Sequence, residues 1–405
     1  KGGTGAQSRN VGIGYLSLGG SGTSAQGNNV AVGYHSGGDS TTASGSVFLG
    51  YFAGHTVTTG NANIAIGNEA MNGGATTGAN NIAIGASAGD ALTSAYQNVL
   101  IGRNAGGSID TGDYNTAVGD NALKSATNSQ YNVVIGLNAG DSTTTGDRLT
   151  LIGTAAGRGV IDNSGQGTVA IGYAAYNAGT SGQGNIAIGY EALSTNTIGI
   201  FNTAIGYQAL KTNVDGSTNT AVGYLALTTF EADAQDHGEN TAVGSKAGTA
   251  VSTGTGNTLI GKDSGLALTT GDNNTALGTM ALSADTDGTD NVAIGWKAGR
   301  NVHGAQKNVM IGYQAMANID NNPGDEIANS VAIGYQAFLG SDNNTTGTTT
   351  DANGTVAIGY QTLKALTTGQ YNTAIGFEAG LVLTELDKNT LIGYQAGKAL
   401  SGSAG

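Results

Sequence analysis

A short string of alternating large and small residues recurs along the chain at an almost fixed spacing. Its anchor is a glycine present in 22 copies from Gly14 to Gly393, among them Gly67, Gly119, Gly206, Gly295 and Gly376. Fifteen of the 21 intervals between these glycines are 17 residues, and the other six run from 18 to 25. The residue before the glycine is Ile, Val or Leu, and the residue three before it is Val, Ile or Thr, in all 22 copies. Between them stands Ala in 14 copies. Asn lies four residues before the glycine in 17 copies, including Asn202, Asn219 and Asn372. This alternation predicts a short β-strand ended by glycine. A period this short, unbroken over the chain, predicts a solenoid with one coil per repeat. The expected fold is therefore all-β: a parallel β-solenoid of about 22 coils forming a single repeat domain over residues 1–405. Coils stacked about 4.8 Å apart make a rod on the order of 100 Å.

The two large positions of each strand share one face, and that face is expected to line the bore. The Ala and Gly positions then face outward, where their small size permits another chain to approach. The asparagines are expected to form an amide ladder from coil to coil. The glycine meets one of two backbone requirements, a positive φ or a lack of room for a Cβ.

A second pattern follows the glycine. Three residues on comes Ala in 18 copies, and the next position is Gly in 11 and a large apolar residue in 11. Where it is Gly, an aliphatic such as Val57, Leu92 or Ile109 follows three residues later in nine of the 11 coils. Where it is Leu123, Leu193, Leu210 or Leu282, that later position is Ala, Asn or Asp. The strand centre is enlarged in Phe48, Leu100, Val134, Leu151, Leu259, Met310 and Leu391, and six of those seven coils carry the Gly. Volume traded between two fixed sites means that the sites touch in a close-packed core.

Thr/Gly/Asp/Asn-rich turns separate the strings. The longest departures from the period are insertions at Thr228–Glu239, Ala317–Asn329 and Leu339–Gly354. They map to surface loops, where a solenoid carries variable function.

Composition narrows the function. The net charge is −13, with 15 basic residues and no basic cluster, which disfavours nucleic acid and anionic membrane surfaces. No apolar stretch is long enough to insert in a membrane as a helix. Cysteine is absent, so disulfides and thiolate chemistry are excluded. The chain opens on Lys1 rather than Met, which suggests a cut end inside a longer polypeptide.

The N-x-A-[IV]-G-Y-x-A strings, such as Asn202-Thr203-Ala204-Ile205-Gly206-Tyr207-Gln208-Ala209, resemble the head repeat of YadA-like trimeric autotransporter adhesins. They are similar, too, to repeats in phage tail fibres and tailspike-like proteins. The resemblance covers Asn10 to Gly397 and implies a left-handed β-roll, a homotrimer and a role in attachment. The usual adhesin head repeat is shorter than 17 residues, and no coiled-coil stalk or membrane anchor is visible in the chain. The opening Lys1-Gly2-Gly3-Thr4-Gly5-Ala6 resembles a string common in phage tail-fibre proteins. The expected function is a structural and adhesive fibre segment, extracellular or on a virion, foremost a phage tail fibre. The alternatives are a bacterial adhesin head and a passive spacer whose binding is done elsewhere. Its expected partners are two further copies of itself and a host glycan or protein receptor.

Candidate chemistry is sparse, and no catalytic residue, metal ligand or cofactor is assigned. His35, His55, His237 and His303 have no ligand partners at metal spacing. Asp113, Asp147 and Asp272 each follow Thr-Gly at one coil position, which reads as turn chemistry in preference to calcium. Asp233, Asp236 and Glu239, with Asp325 and Glu326, are the dense acidic spots, and they read as solvated loops rather than as glycosidase pairs. Ice binding needs a flat outward Thr array, and the strand threonines Thr203, Thr220, Thr241, Thr258 and Thr275 are expected to point inward. The residue after the glycine is Tyr in 11 copies, including Tyr173, Tyr190, Tyr207 and Tyr224 in four successive coils. That stripe is either a stacked ladder shielding the core or a chain seam, or a sugar-binding surface. With Asp233, Asp325 and Glu326 it makes up the candidate surface-binding set.

Overall fold

The structure, a computed structural model, describes residues 9–20, 27–159, 161–162, 165–232, 237–319, 327–340 and 352–400. It is an all-β parallel solenoid with one three-residue strand per glycine-anchored repeat, from β1 (Val11–Ile13) to β22 (Thr390–Ile392). The chain forms two compact units, Lys1–Phe201 and Asn202–Gly405. The first holds β1 to β11 (Ile186–Ile188), the second β12 (Thr203–Ile205) to β22. Within each unit every strand pairs in parallel with the strand one coil on, as in Val169↔Ile186 and Thr203↔Thr220. The register holds across the insertions, because Thr220 pairs with Thr241, Val309 with Val331 and Val331 with Val356. Extra residues are thus looped out between strands.

The strand faces the opposite way from the sequence expectation. From β2 (Val30–Val32) to β21 (Thr373–Ile375) the central residue is buried and both flanking residues are half-buried or exposed. Ala lines the bore, and the β-branched residues look outward. The reason is volume. The bore of a 17-residue coil already holds the Ala three residues after the glycine and one large plug, as Ala204, Ala209 and Leu210 do in one coil. Two β-branched side chains per strand would overfill it.

The register glycines that face a following coil satisfy both backbone requirements at once, whereas Gly393 meets only the first. Their φ lies between +125° and +141° in all 22 copies. A Cβ on Gly206 would sit 2.7 Å from the carbonyl carbon of Gly223 in the next coil, and Gly67, Gly119, Gly295 and Gly376 are equally confined, at 2.7–2.8 Å. The strand then enters a tight turn whose second and fourth residues are left-handed in every coil, such as Gln208 (φ 52°) and Leu210 (φ 51°).

The expected amide ladder is present. The Asn219 backbone N–H and Nδ2 donate to Asn202 Oδ1 at 3.0 and 3.1 Å, and the Asn240 N–H donates to Asn219 Oδ1 at 3.1 Å. Asn202 Nδ2 donates to the Gly216 carbonyl at 2.8 Å. The same pattern joins Asn372 to Asn389, whose N–H and Nδ2 each donate to Asn372 Oδ1 at 3.0 Å. Amides buried this way keep their hydrogen bonds, so their burial carries little penalty. Where the repeat has Ser46, its Oγ accepts the Asn63 N–H at 3.1 Å in the amide's stead.

The traded volumes do touch. A Cβ on Gly106 would lie 2.7 Å from Leu100 Cδ2 of the same coil, and one on Gly89, a coil earlier, 2.9 Å from Leu100 Cδ1. A large strand centre therefore clears two coils. All eleven coils with this glycine either carry an enlarged centre or directly precede one.

Candidate functional site

Because the strand centre points in, each coil presents an outward row: the residues five, three and one before the glycine and the one after it. Tyr371, Thr373, Ile375 and Phe377 form one such row. In successive coils these rows build apolar columns, with Val30, Leu49, Val133, Ile135, Ile205 and Leu277 all exposed.

The aromatic column lies on this face. Tyr173 and Tyr190 stack at 5.0 Å between centroids, and Tyr207 and Tyr224 at 5.5 Å. Tyr15, Tyr34 and Tyr51 form a three-ring stack. Trp296, Tyr313, Tyr335, Tyr360, Phe377 and Tyr394 form a six-ring stack with centroid distances of 4.6–5.5 Å. Each interior ring has both faces covered by its neighbours, and the column turns its edges outward. Sugar stacking needs an open ring face, so the geometry favours the ladder over a sugar platform. Beside the six-ring stack runs an amide column: Gln336 Nε2 donates to Gln314 Oε1 at 2.8 Å and Gln361 Nε2 to Gln336 Oε1 at 2.9 Å.

The threonines lie on the same outward face, which corrects the expectation that they point inward. Thr203, Thr220, Thr241, Thr258 and Thr275 are in register and half-exposed. The same face carries Tyr207, Tyr224 and the exposed Lys262, so it is not an array of threonines alone.

The carboxylates after Thr-Gly act in turns. Asp113, Asp147 and Asp272 each accept a backbone N–H of the preceding coil at 2.7 Å, from Tyr96, Gln130 and Thr255. No group of three or more His, Asp or Glu residues with metal-binding geometry occurs among the described residues. His35 and His55 come together, with ring centroids 5.5 Å apart, and His55 Nδ1 lies 3.8 Å from Asp39 Oδ2. The sequence scatters these two histidines because their proximity depends on the coil period.

Asp233, Asp325 and Glu326 lie outside the described residues, as do Asp236 and most of the insertions at 317–329 and 339–354. Glu239 is exposed. Within the first insertion, burial first and the charge of Asp215 second raise the Glu231 carboxyl above its ordinary value. Sequence reasoning missed this pair because its members belong to different coils.

Among the described residues, Asp285 is the one carboxyl placed where other coils put an apolar plug. It is fully buried, its Oδ1 accepts the Gly288 N–H at 3.0 Å, and its Oδ2 has no hydrogen-bond partner. Burial pushes its pKa up to about 7 against the lowering effect of the Gly288 N–H. The sequence showed the residue only as a missing plug.

Among the described residues no helix is long and apolar enough to cross a membrane. The chain matches no protein-family model and no curated protein.

Proposed function

We propose that this chain is a segment of an attachment fibre that works as a homotrimer, most simply a phage tail fibre on the outside of a virion. The observation that carries the reading is the outward apolar face. Columns of Val, Ile and Leu beside stacked aromatic rings recur in both units, and apolar patches of more than a few hundred Å² are rare on soluble single chains. Other copies of the chain are suited to cover it, since a repeating face matches itself. The reason differs from the one the sequence suggested: the Ala positions are filled by the bore, and the β-branched positions form the seam.

Receptor contact falls to the insertions at 228–239, 317–329 and 339–354. The coil body is committed to the bore, the amide ladder and the stacked columns. The insertions leave the register intact and are free to vary, with Asp233, Asp325 and Glu326 offering acceptors to sugar hydroxyls.

Light scattering tests the assembly: a stable mass three times 39.9 kDa supports it, and a mass of 39.9 kDa refutes it. Trimming the three insertions to the 17-residue period tests attachment. Loss of host-cell binding by a folded triple deletion supports the loops as the contact. Undiminished binding refutes that, and absence of binding by the intact chain makes the segment a spacer.

A further inference from the structure

In the second unit the aromatic column breaks off after Tyr224 and resumes at Trp296. The three coils between them carry Ser245, Lys262 and Thr279 at the ring position. Tyr224 stacks on Tyr207 on one side, and on the other side the next residue of the column, Ser245, brings no ring. One face of Tyr224 is thus open. The residue is 50% exposed, against 41–42% for Tyr313, Tyr335 and Tyr360 inside the six-ring stack. Ser245 is small and exposed, which leaves room for a flat group one coil step high, about 4.8 Å, against that face.

Cations lie beside this rung, although the chain as a whole carries a net charge of −13. Lys246 is exposed, and its backbone N–H donates to the Tyr224 carbonyl at 2.7 Å, which fixes its place one coil on from the ring. Lys262, one rung beyond Ser245, exposes 64% of its side chain. Asp263 is mostly buried, and its carboxylate lies 3.7 Å from the Lys262 ammonium, too far for a hydrogen bond. Among the described residues the other inner ends of the column lack this combination. At Tyr51 the small neighbour is Asn68, but Glu69 takes the place of Lys246. Tyr173 is followed across its open side by Thr154 and Ala155. Trp296 has the Lys297 ammonium 3.9 Å from its ring centroid.

An open aromatic face with ammonium groups beside it selects a ligand that is flat and apolar on one side and anionic at its rim. A sugar acid meets both conditions: the C–H face of a pyranose packs on an aromatic ring, and its carboxylate pairs with ammonium groups. A second chain laid over these coils would bury the Lys262 ammonium without a close partner, which is costly. The seam proposed above is therefore not favoured here.

We propose that the rung between Tyr224 and Lys262 binds a carboxylated sugar, with the pyranose face on the Tyr224 ring and the carboxylate on the Lys246 and Lys262 ammonium groups. The site is complete within one chain and uses no residue of the insertions, so it stands apart from both the trimer and the loop contact.

The test is saturation-transfer NMR on the 405-residue chain with galacturonate, trigalacturonate and galactose. Galacturonate is expected to bind saturably, and galactose about fivefold more weakly, as the loss of an exposed charge pair implies. Added salt is expected to weaken galacturonate binding and to leave galactose unchanged. Ser245→Tyr places a ring where many coils already hold one, so it is expected to fold, to extend the stack and to abolish binding. Lys262→Gln alters an exposed side chain and is expected to lower the affinity for galacturonate toward that for galactose. Tyr51→Ala, at the end that carries Glu69, is expected to leave binding unchanged. Tighter binding of trigalacturonate than of galacturonate supports the site with a sugar chain as its source, and equal binding supports it with a free sugar acid. Absence of saturable binding to wild type, equal affinity for galactose, full affinity in Lys262→Gln, or binding retained by Ser245→Tyr would overturn the proposal.

Discussion

Phe48 occupies the space in front of Gly37, although Gly37 belongs to the preceding coil: a Cβ there would lie 2.7 Å from Phe48 Cδ2. The ring equally fills the space beside Gly54 in its own coil. One large side chain serves two coils, and two glycines make room for it. This coupling yields a double-mutant prediction. Phe48→Ala is expected to cost about 3–5 kcal/mol by leaving a cavity. Gly54→Leu alone is expected to be equally harmful, by overpacking rather than by backbone strain, since Leu123 holds φ 52° at the equivalent position. The double variant Phe48→Ala/Gly54→Leu is expected to recover about 1–3 kcal/mol relative to the sum, measured by denaturant unfolding. Strict additivity would show that the two sites do not share volume.

The register glycines offer a way to separate φ from crowding. Gly206 has φ +136° and the Gly223 carbonyl carbon 2.7 Å from its Cβ direction, whereas Gly393 has φ +125° and an open neighbourhood. Gly206→Val is expected to cost several kcal/mol and to disrupt its own and the adjoining coils. Gly393→Ala is expected to cost about 1–3 kcal/mol, the strain of the backbone angle alone. Equal losses in melting temperature from Gly206→Ala and Gly393→Ala would mean that the backbone angle, not the carbonyl, decides.

Asn219→Leu removes the acceptor of the Asn240 N–H and the Nδ2 donor to Asn202 Oδ1, and leaves only the backbone N–H of residue 219 on that oxygen. Each buried group left unpaired costs about 1–3 kcal/mol, so the change is expected to be among the most damaging polar substitutions in the chain. Asn219→Ser is expected to be milder, because Ser46 already carries the ladder at an equivalent site. Hydrogen exchange at the Asn240 amide reads the difference directly: it is expected to accelerate in Asn219→Leu and to change less in Asn219→Ser.

Asp285 gives the stability a pH dependence of definite sign. Its carboxyl titrates at about 7 in the fold against an ordinary value of 3.8, so the folded chain holds a proton that the unfolded chain releases. Stability from this group is fully present below pH 3.8 and is lost as the pH rises to about 7. At about 1.36 kcal/mol per pH unit the loss is at most roughly 4 kcal/mol. Asp285→Asn is expected to remove this slope and to raise the melting temperature at pH 8. A variant that keeps the wild-type slope between pH 5 and pH 8 would show that other groups set it.

Much of the fold was legible because the repeat reports on itself. The positions of Gly206 and Asn219 recur so often that their backbone and ladder roles could be read from spacing alone. The facing of the strand was not legible. Ala204 between Thr203 and Ile205 alternates equally well with either face inward, and only the volume of the bore decides. The threonine column was misplaced for the same reason. The second half of the volume trade, Gly37 against Phe48, was missed because the partners belong to different repeats. The left-handed turn left no compositional trace, since residues as different as His35, Glu69, Gln208 and Lys297 adopt it. Of the candidate surface set, Tyr173, Tyr190, Tyr207 and Tyr224 lie on the exposed column, and Asp233, Asp325 and Glu326 lie outside the described residues.

The register of one repeat per pairing also governs how the chain reaches its native state. Paired strands are successive in sequence, as Val99↔Thr116 and Thr258↔Thr275 are, so closing each contact requires only a short loop. Such local contacts favour fast folding, and any coil that forms becomes a template for the one after it. During synthesis the early coils have no need to wait for the distant end of the polypeptide. Each newly emerged repeat finds its hydrogen-bonding edge already in place, and growth proceeds in the order of translation.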